Sequence, residues 1–400
     1  MKRKTGRHAH KYDLPTLLIL LVAVAIYLLA FFRIHAEDFL NGAGDLFWAY
    51  GKDETVEFET ATVKEIVSEE STVDETAEGA YTGTQELAVV IGSGRYKGEE
   101  TVAYNYFGPL NGVPVRVGDS VMLTIKTHIE GDYFATVYEF NRIPVLAVMI
   151  LVFFAVVTAV GGMTGLQSLA GLVFTVFCLF TILVPLLLKG APTVLTTFAV
   201  CAYIALVSFT ILGGVHRKTV SAFLGTVSGV FLAMIFGMCV QHLARIDGLR
   251  LDDAEPLLEL KYYGLPLGLR GLLTASIIIS ALGAVMDVAM SISSALEEVH
   301  AANPSLSQRD LFRSGMNIGR DMVGTMTNTL ILAFLGSEFS LILFMYARSL
   351  TFHHLFSTAF VSLETISGIS ASIGMVLAIP LTAWISSALI SNGAKCRVGT

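Results

Sequence analysis

The sequence predicts a polytopic α-helical membrane protein of about eight transmembrane helices, with a small all-β domain inserted between helices 1 and 2. Three observations lead there. Of the 400 residues, 54% are hydrophobic and only 15% charged, against about 25% charged in a soluble domain. The apolar residues fall into runs of roughly 20, the length that crosses a bilayer as helix. The acids are gathered apart. Between Glu37 and Arg142 lie 20 of the 33 acids and seven of the 26 Lys and Arg, so this segment carries −13 while the whole chain carries −7. Such asymmetry points to two environments in one chain.

The first apolar run is Leu14 to Phe32, preceded by Lys2, Arg3, Lys4, Arg7 and Lys11. No small-x-small cleavage site follows in Phe31-Phe32-Arg33-Ile34-His35. Residues 1–33 therefore read as a basic tail and an uncleaved anchor. The positive-inside rule puts the tail in the cytoplasm and residues 37–142 on the extracytoplasmic side.

Residues 37–142 are rich in Val, Thr and Tyr. Alternating stretches at Val56–Val67, Gln85–Ile91, Glu100–Tyr106, Ser120–Ile129 and Tyr133–Phe140 are separated by turn signals such as Asn111-Gly112 and Gly118-Asp119. Strands of that length and spacing predict a small barrel or sandwich. None of the four cysteines lies in this segment. Its acidity argues against nucleic-acid binding, which needs a basic footprint.

Residues 143–400 predict seven further spans, near 143–161, 166–188, 193–213, 219–243, 267–290, 322–336 and 367–390. An even total returns the C-terminus to the cytoplasm. Arg217, Lys218, Arg309, Arg313 and Arg320 then fall inside, while Arg245, Arg250 and Lys261 fall outside, against the charge rule. Residues 303–318 read as an amphipathic connector, opened by the Ser307/Asp310 capping pair. Gly336-Ser337-Glu338 parts the seventh of the eight spans from the short apolar stretch Phe339–Ala347. That stretch is either re-entrant or the far limb of a broken span. Gln167 and Gln241 lie near span ends and read as interfacial.

The sixth span carries the unusual chemistry. Ser276, Ser280, Gly283, Asp287, Ser291, Ser294 and Glu298 recur at steps of three and four, which is one helical face. A charged Asp at the centre of a membrane helix costs about 3 kcal/mol. Asp287, near the inner end of the span as drawn, reads as an ion-path residue, a structural polar contact or an interfacial acid. The next span repeats the pattern with Asn317, Asp321, Gly324 or Thr325, and Asn328, with Arg320 beside Asp321. These groups converge if the two spans pack side by side. On the fifth span Ser221, Gly225, Gly229, Ala233 and Gly237 recur at steps of four, spacing that lets a second helix approach closely.

Several of these runs resemble the YibE/F-like family of bacterial membrane proteins. They are Ser280-Ala-Leu-Gly-Ala-Val-Met-Asp287-Val-Ala-Met-Ser291, Ala302-Asn303-Pro304-Ser305-Leu306-Ser307, Ile318-Gly319-Arg320-Asp321 and Asn328-Thr329-Leu330-Ile331-Leu332-Ala333. The likeness covers roughly residues 145–390. Met286 stands where many relatives have a second acid, which argues against an acidic pair at that point. The resemblance implies a bacterial plasma-membrane protein of permease type and brings no substrate or catalytic residue.

The chain holds no P-loop, metalloprotease helix, nucleophile elbow or dinucleotide fingerprint, and no Cys/His spacing of a zinc site. The expectation is therefore a protein that is not an enzyme and has no cofactor or metal. Its partners are the lipid bilayer and a small solute or ion, and its ion path runs through Asp287, Asp321, Asn328, Asn317, Ser280, Ser291 and Arg320. The competing expectation is an envelope scaffold that presents residues 37–142 to a protein partner.

Overall fold

The computed structural model describes residues 14–41, 55–127, 133–251, 254–262, 264–348 and 351–398. The basic tail before Leu14 lies outside the described residues. Contacts divide the chain into two units, Asn41–Val156 and Met1–Leu40 with Val157–Thr400.

In the first of these units, period-two alternation produces five strands: β1 (Thr55–Asp74), β2 (Ala80–Ile91), β3 (Glu100–Phe107), β4 (Ser120–Thr127) and β5 (Tyr133–Phe140). They close into a barrel in the order β1-β2-β3-β5-β4. All neighbours are antiparallel except β3 and β5, which are parallel. This is a five-stranded Greek-key barrel of the OB type. Every second residue points inward, so Val63, Leu87, Val89, Ile91, Ala103, Val121, Leu123 and Ile125 form a dry core.

β1 runs past its sequence-predicted end at Val67. Its first part pairs with β4 and the remainder with β2 out to Asp74. Register shifts between Val63 and Glu65 and between Ile66 and Ser68 bend it from one neighbour to the other. One polar pair sits in the barrel wall. The Gln85 amide donates to the Val115 carbonyl at 3.0 Å and accepts from Asn105 Nδ2 at 2.9 Å and from the Val115 N–H at 3.0 Å. These bonds hold the β3–β4 connection against the barrel.

The second unit is helical. Its first helix is α1 (Leu14–Asn41). Ile143–Cys178 forms α2, most of which belongs to this unit. A π-turn at Leu179–Leu183 leads into α3 (Val184–Leu188). Then come α4 (Thr193–Gly213), α5 (Arg217–Ala244), α6 (Ala254–Tyr262), α7 (Leu272–Ala302), α8 (Gln308–Ser337), α9 (Phe339–Ala347), α10 (Phe352–Ser357) and α11 (Ala359–Val398).

Ile143–Leu188 amounts to 46 residues, about 69 Å as straight helix and twice a bilayer core. It is not straight. Gly162 has φ 57 and ψ −137, a backbone region that residues with a Cβ avoid. Just past it, a Cβ on Gly165 would run into the Val157 carbonyl, so the chain turns sharply there. The π-turn precedes Pro185, whose missing N–H withdraws one α-helical bond.

Among the described residues, six helices are long and apolar enough to cross a membrane, or seven if the bent pair α8–α9 counts as one span. α8 and α9 meet at 62°. The connector expected at 303–318 is not a separate element. Ser307 caps α8 by accepting from the Asp310 N–H, and the helix then runs unbroken from Gln308 to Ser337. Nothing between Met316 and Met322 breaks it, because Gly319 is a helical residue packed on Ile292 and Ile379.

Candidate functional site

α5 is the axis around which the bundle is built. Its row of small residues meets a matching row on α11. Ser221 Oγ lies 3.4 Å from Ser386 Oγ, and Gly225 faces Thr382. Gly229 faces Ala378, Ala233 faces Gly374, and Gly237 faces Ser370. Each step of four down α5 is a step of four up α11, so the two helices run antiparallel in near backbone contact. α7 flanks the same helix in the same way. Ser293 Oγ is 3.1 Å from Ser221 Oγ, Val285 meets Gly229, and Ile277 meets Gly237.

Small residues let the backbones approach, and the close approach supplies dispersion contacts between the helices. The spacing on α11 carries the same signal as that on α5, but only their pairing reveals it. Gln241 is no interfacial residue: it is buried and accepts from Thr274 Oγ1 at 3.2 Å. The seam is also unusually polar. Thr226, Ser370 and Thr382 are fully buried, and their hydroxyls find no hydrogen-bond partner among the described residues.

The polar stripe of α7 faces the other way. Ile277, Ile278, Ala281, Val285, Val288, Ala289 and Ile292 are buried against α5 and its neighbours. Ser276, Gly283, Asp287, Ser291 and Glu298 are exposed, and Ser280 and Ser294 half-buried. Nothing lies within 4 Å of a Cβ built on Gly283. Because α7 runs on to Ala302, Asp287 is the sixteenth of its 31 residues. It sits at the helix midpoint, about 23 Å from either end.

α8 behaves alike. Leu311, Gly315 and Gly319 are its buried row, while Asn317, Arg320, Asp321, Gly324 and Asn328 are exposed. Gly315 packs on Leu296 and Gly319 on Ile292, which sets the antiparallel register of the two helices. In that register Asn328 is level with Gly283, Gly324 with Asp287, and Asp321 with Met290. The two carboxylates therefore lie within about one helical turn, ~5 Å, of the same depth.

Neither carboxylate has a hydrogen-bond or ion-pair partner among the described residues, and Arg320 makes no ion pair with Asp321. Asp287 and Asp321 are thus brought to nearly one depth, both exposed on the outside of the bundle, with the rest of each stripe running along its helix. Chemically, the face offers two carboxylates, two amides and several hydroxyls to whatever lies against it. At the end of the bundle nearest Lys218, an ion pair of 3.3 Å joins that residue to Glu297. No group of three or more His, Cys, Asp or Glu able to hold a metal occurs among the described residues.

Residues 149–392 match a family model, that of YibE/F-like protein. No curated protein and no solved structure matches the chain.

Proposed function

The chain belongs to the YibE/F-like family, and from that premise we propose that it is an integral membrane protein that moves a small solute or ion across the bilayer along the polar face of α7 and α8. The observation that carries this reading is the position of Asp287 and Asp321. Two carboxylates stand at nearly the same depth in long helices and point away from the apolar core. Facing lipid, each would cost about 3 kcal/mol. A packing role would place them inside the bundle instead, as it does for Ser221 and Ser293. Asn317, Asn328, Ser280 and Ser291 extend the face toward both ends. The second wall of such a path lies outside the chain.

The two limbs of Ile143–Leu188 read as two spans, and α8 with α9 as one. The count is then eight, both termini are cytoplasmic, and the barrel is extracytoplasmic. The membrane is the bacterial plasma membrane.

A second reading rests on the barrel, whose outer surface carries two aromatic pairs, Tyr104–Phe134 and Phe58–Tyr138, with ring centroids 5.5 and 5.2 Å apart. In that reading the helices anchor a scaffold for an envelope partner.

The test is thermal unfolding of the purified protein in detergent against a panel of ions, metabolites and pH values, with Asp287→Asn alongside. A ligand of the folded state at a hundredfold excess over Kd stabilises by about 2.7 kcal/mol. A stabilising ligand whose effect vanishes in Asp287→Asn is the expected result. Ligands that stabilise both proteins equally would sink the assignment of Asp287 to the path.

A further inference from the structure

At the end of the bundle where α4 begins, α5 ends and α7 begins, there is a cavity of about 1100 Å³. This is just above the usual range for small-molecule pockets, about 300–1,000 Å³. Val194, Leu195, Phe198, Phe231, Met234 and Leu258 form its apolar wall. Two cations and a phenol stand among the lining groups: Lys261 and Tyr262 from the last turn of α6, and Arg270 from the turn before α7. Lys261 is exposed and has no ion-pair partner among the described residues. Arg270 reaches Asp247 only at 3.7 Å, and its side chain is 84% exposed, so the pair holds the guanidinium weakly. The acids of α6, Glu255 and Glu259, are not among the lining residues.

An apolar wall with cations among its lining groups fits one kind of ligand, an apolar chain with an anionic head. We propose that the cavity binds an anionic phospholipid, its phosphate at Lys261 and Arg270 and its acyl chain along Phe198, Phe231 and Met234. Basic pockets between membrane helices bind phosphate headgroups on the cytoplasmic or matrix side, and here the same chemistry serves the opposite face. Under the topology proposed above, the loop after α5 is extracytoplasmic, and its Arg245, Arg250 and Lys261 run against the charge rule. A headgroup site gives Lys261 a reason to stand there. The site is separate from the polar face, because Asp287 lies about 24 Å along α7 from Gly271.

The test uses the full chain in an uncharged detergent, with the unfolding midpoint followed against added hexadecyl phosphate, hexadecanol or inorganic phosphate. Hexadecyl phosphate is expected to raise the midpoint saturably. Hexadecanol should be at least tenfold less potent and inorganic phosphate inactive. The double variant Lys261→Gln/Arg270→Gln alters exposed side chains only. It is expected to keep the basal midpoint and to bind hexadecyl phosphate about tenfold more weakly or worse. Leu195→Trp, which fills the wall without touching a charge, should also weaken binding, whereas Asp287→Asn should bind as the wild type does. Hexadecanol as potent as hexadecyl phosphate would reduce the cavity to an ordinary lipid groove and overturn the proposal. So would binding by inorganic phosphate alone, undiminished binding in the double variant or in Leu195→Trp, or lost binding in Asp287→Asn.

Discussion

Gly229 offers the sharpest test of the seam between α5 and α11. A Cβ added there would lie 2.6 Å from Ala378 Cβ, 2.8 Å from Val285 Cγ1 and 3.1 Å from the Gly374 carbonyl oxygen. Ala378 cannot rotate out of the way, because its Cβ moves only with its backbone. Gly229→Ala must therefore push two helices apart. Overpacking of this kind costs about 1–3 kcal/mol, and the rigid neighbour puts the site near the upper end. Replacing a helical glycine returns about 0.5–1 kcal/mol. The net expectation is a loss of about 2 kcal/mol.

Gly283→Ala on the exposed face of α7 is the control. It meets nothing within 4 Å, so it should be neutral or stabilising by about 0.5–1 kcal/mol. Unfolding of the detergent-purified protein, by heat or by denaturant, reads both variants. Adding Ala378→Gly to Gly229→Ala removes the closest of the three contacts. It should recover about 1 kcal/mol, a non-additivity expected of residues in contact. A Gly229→Ala protein as stable as wild type, or one that Ala378→Gly does not help, would refute the close-packed seam.

Three further expectations concern the barrel and the path. Gln85→Ala leaves the N–H and the carbonyl of Val115 without their partner, while Asn105 Nδ2 keeps its bond to the Val113 carbonyl. Buried orphans cost about 1–3 kcal/mol each, so hydrogen exchange should accelerate in residues 108–118 first. Asp74 lies in the β1–β2 hairpin, where the Thr76 hydroxyl and then its N–H hold the carboxyl below its ordinary value of 3.8. A carboxylate with a depressed folded pKa adds stability above its unfolded pKa and loses it as the pH falls through the folded one. An NMR titration of Asp74 should therefore have its midpoint below 3.8. Thr76→Val should move it upward, and an unmoved midpoint would break the link to Thr76. In the path, Asp321→Asn should abolish the same ligand-induced stabilisation as Asp287→Asn, since the two carboxylates share one depth. Loss in only one of them would separate their roles.

The sequence by itself determined where most helices and strands lie, because apolar and alternating runs are local patterns, but not every limit: β1 runs on to Asp74, α7 to Ala302, and α8 begins at Gln308. Tyr133–Phe140 alternates as β5 does, and the apolar runs mark α1, α4, α5 and α7 to within a turn or two at most ends. At 303–318 the Ser307/Asp310 cap marks a true helix start, but the amphipathic pattern after it does not show where the helix stops; α8 runs on to Ser337, with Gly319 packed on Ile292 and Ile379. The register of the small residues on α5 and the polar stripes of α7 and α8 were also legible, since each lies on one helix.

The tertiary structure alone decided which way those faces turn. In water an apolar face points inward. In a membrane both lipid and core are apolar, so a stripe such as Ser276–Glu298 reads the same whether it is covered or open. Partners remote in sequence broke the tie. The α11 row fits the α5 row, and α7 contributes Val285 and Ile277 to that fit, which turns Asp287 outward. Closure of the barrel also depended on strands distant in sequence, through the parallel pairing of β3 with β5. Both outcomes have one physical cause: backbone spacing between elements is set by what their side chains permit on contact, and one strand or helix carries only half of that information.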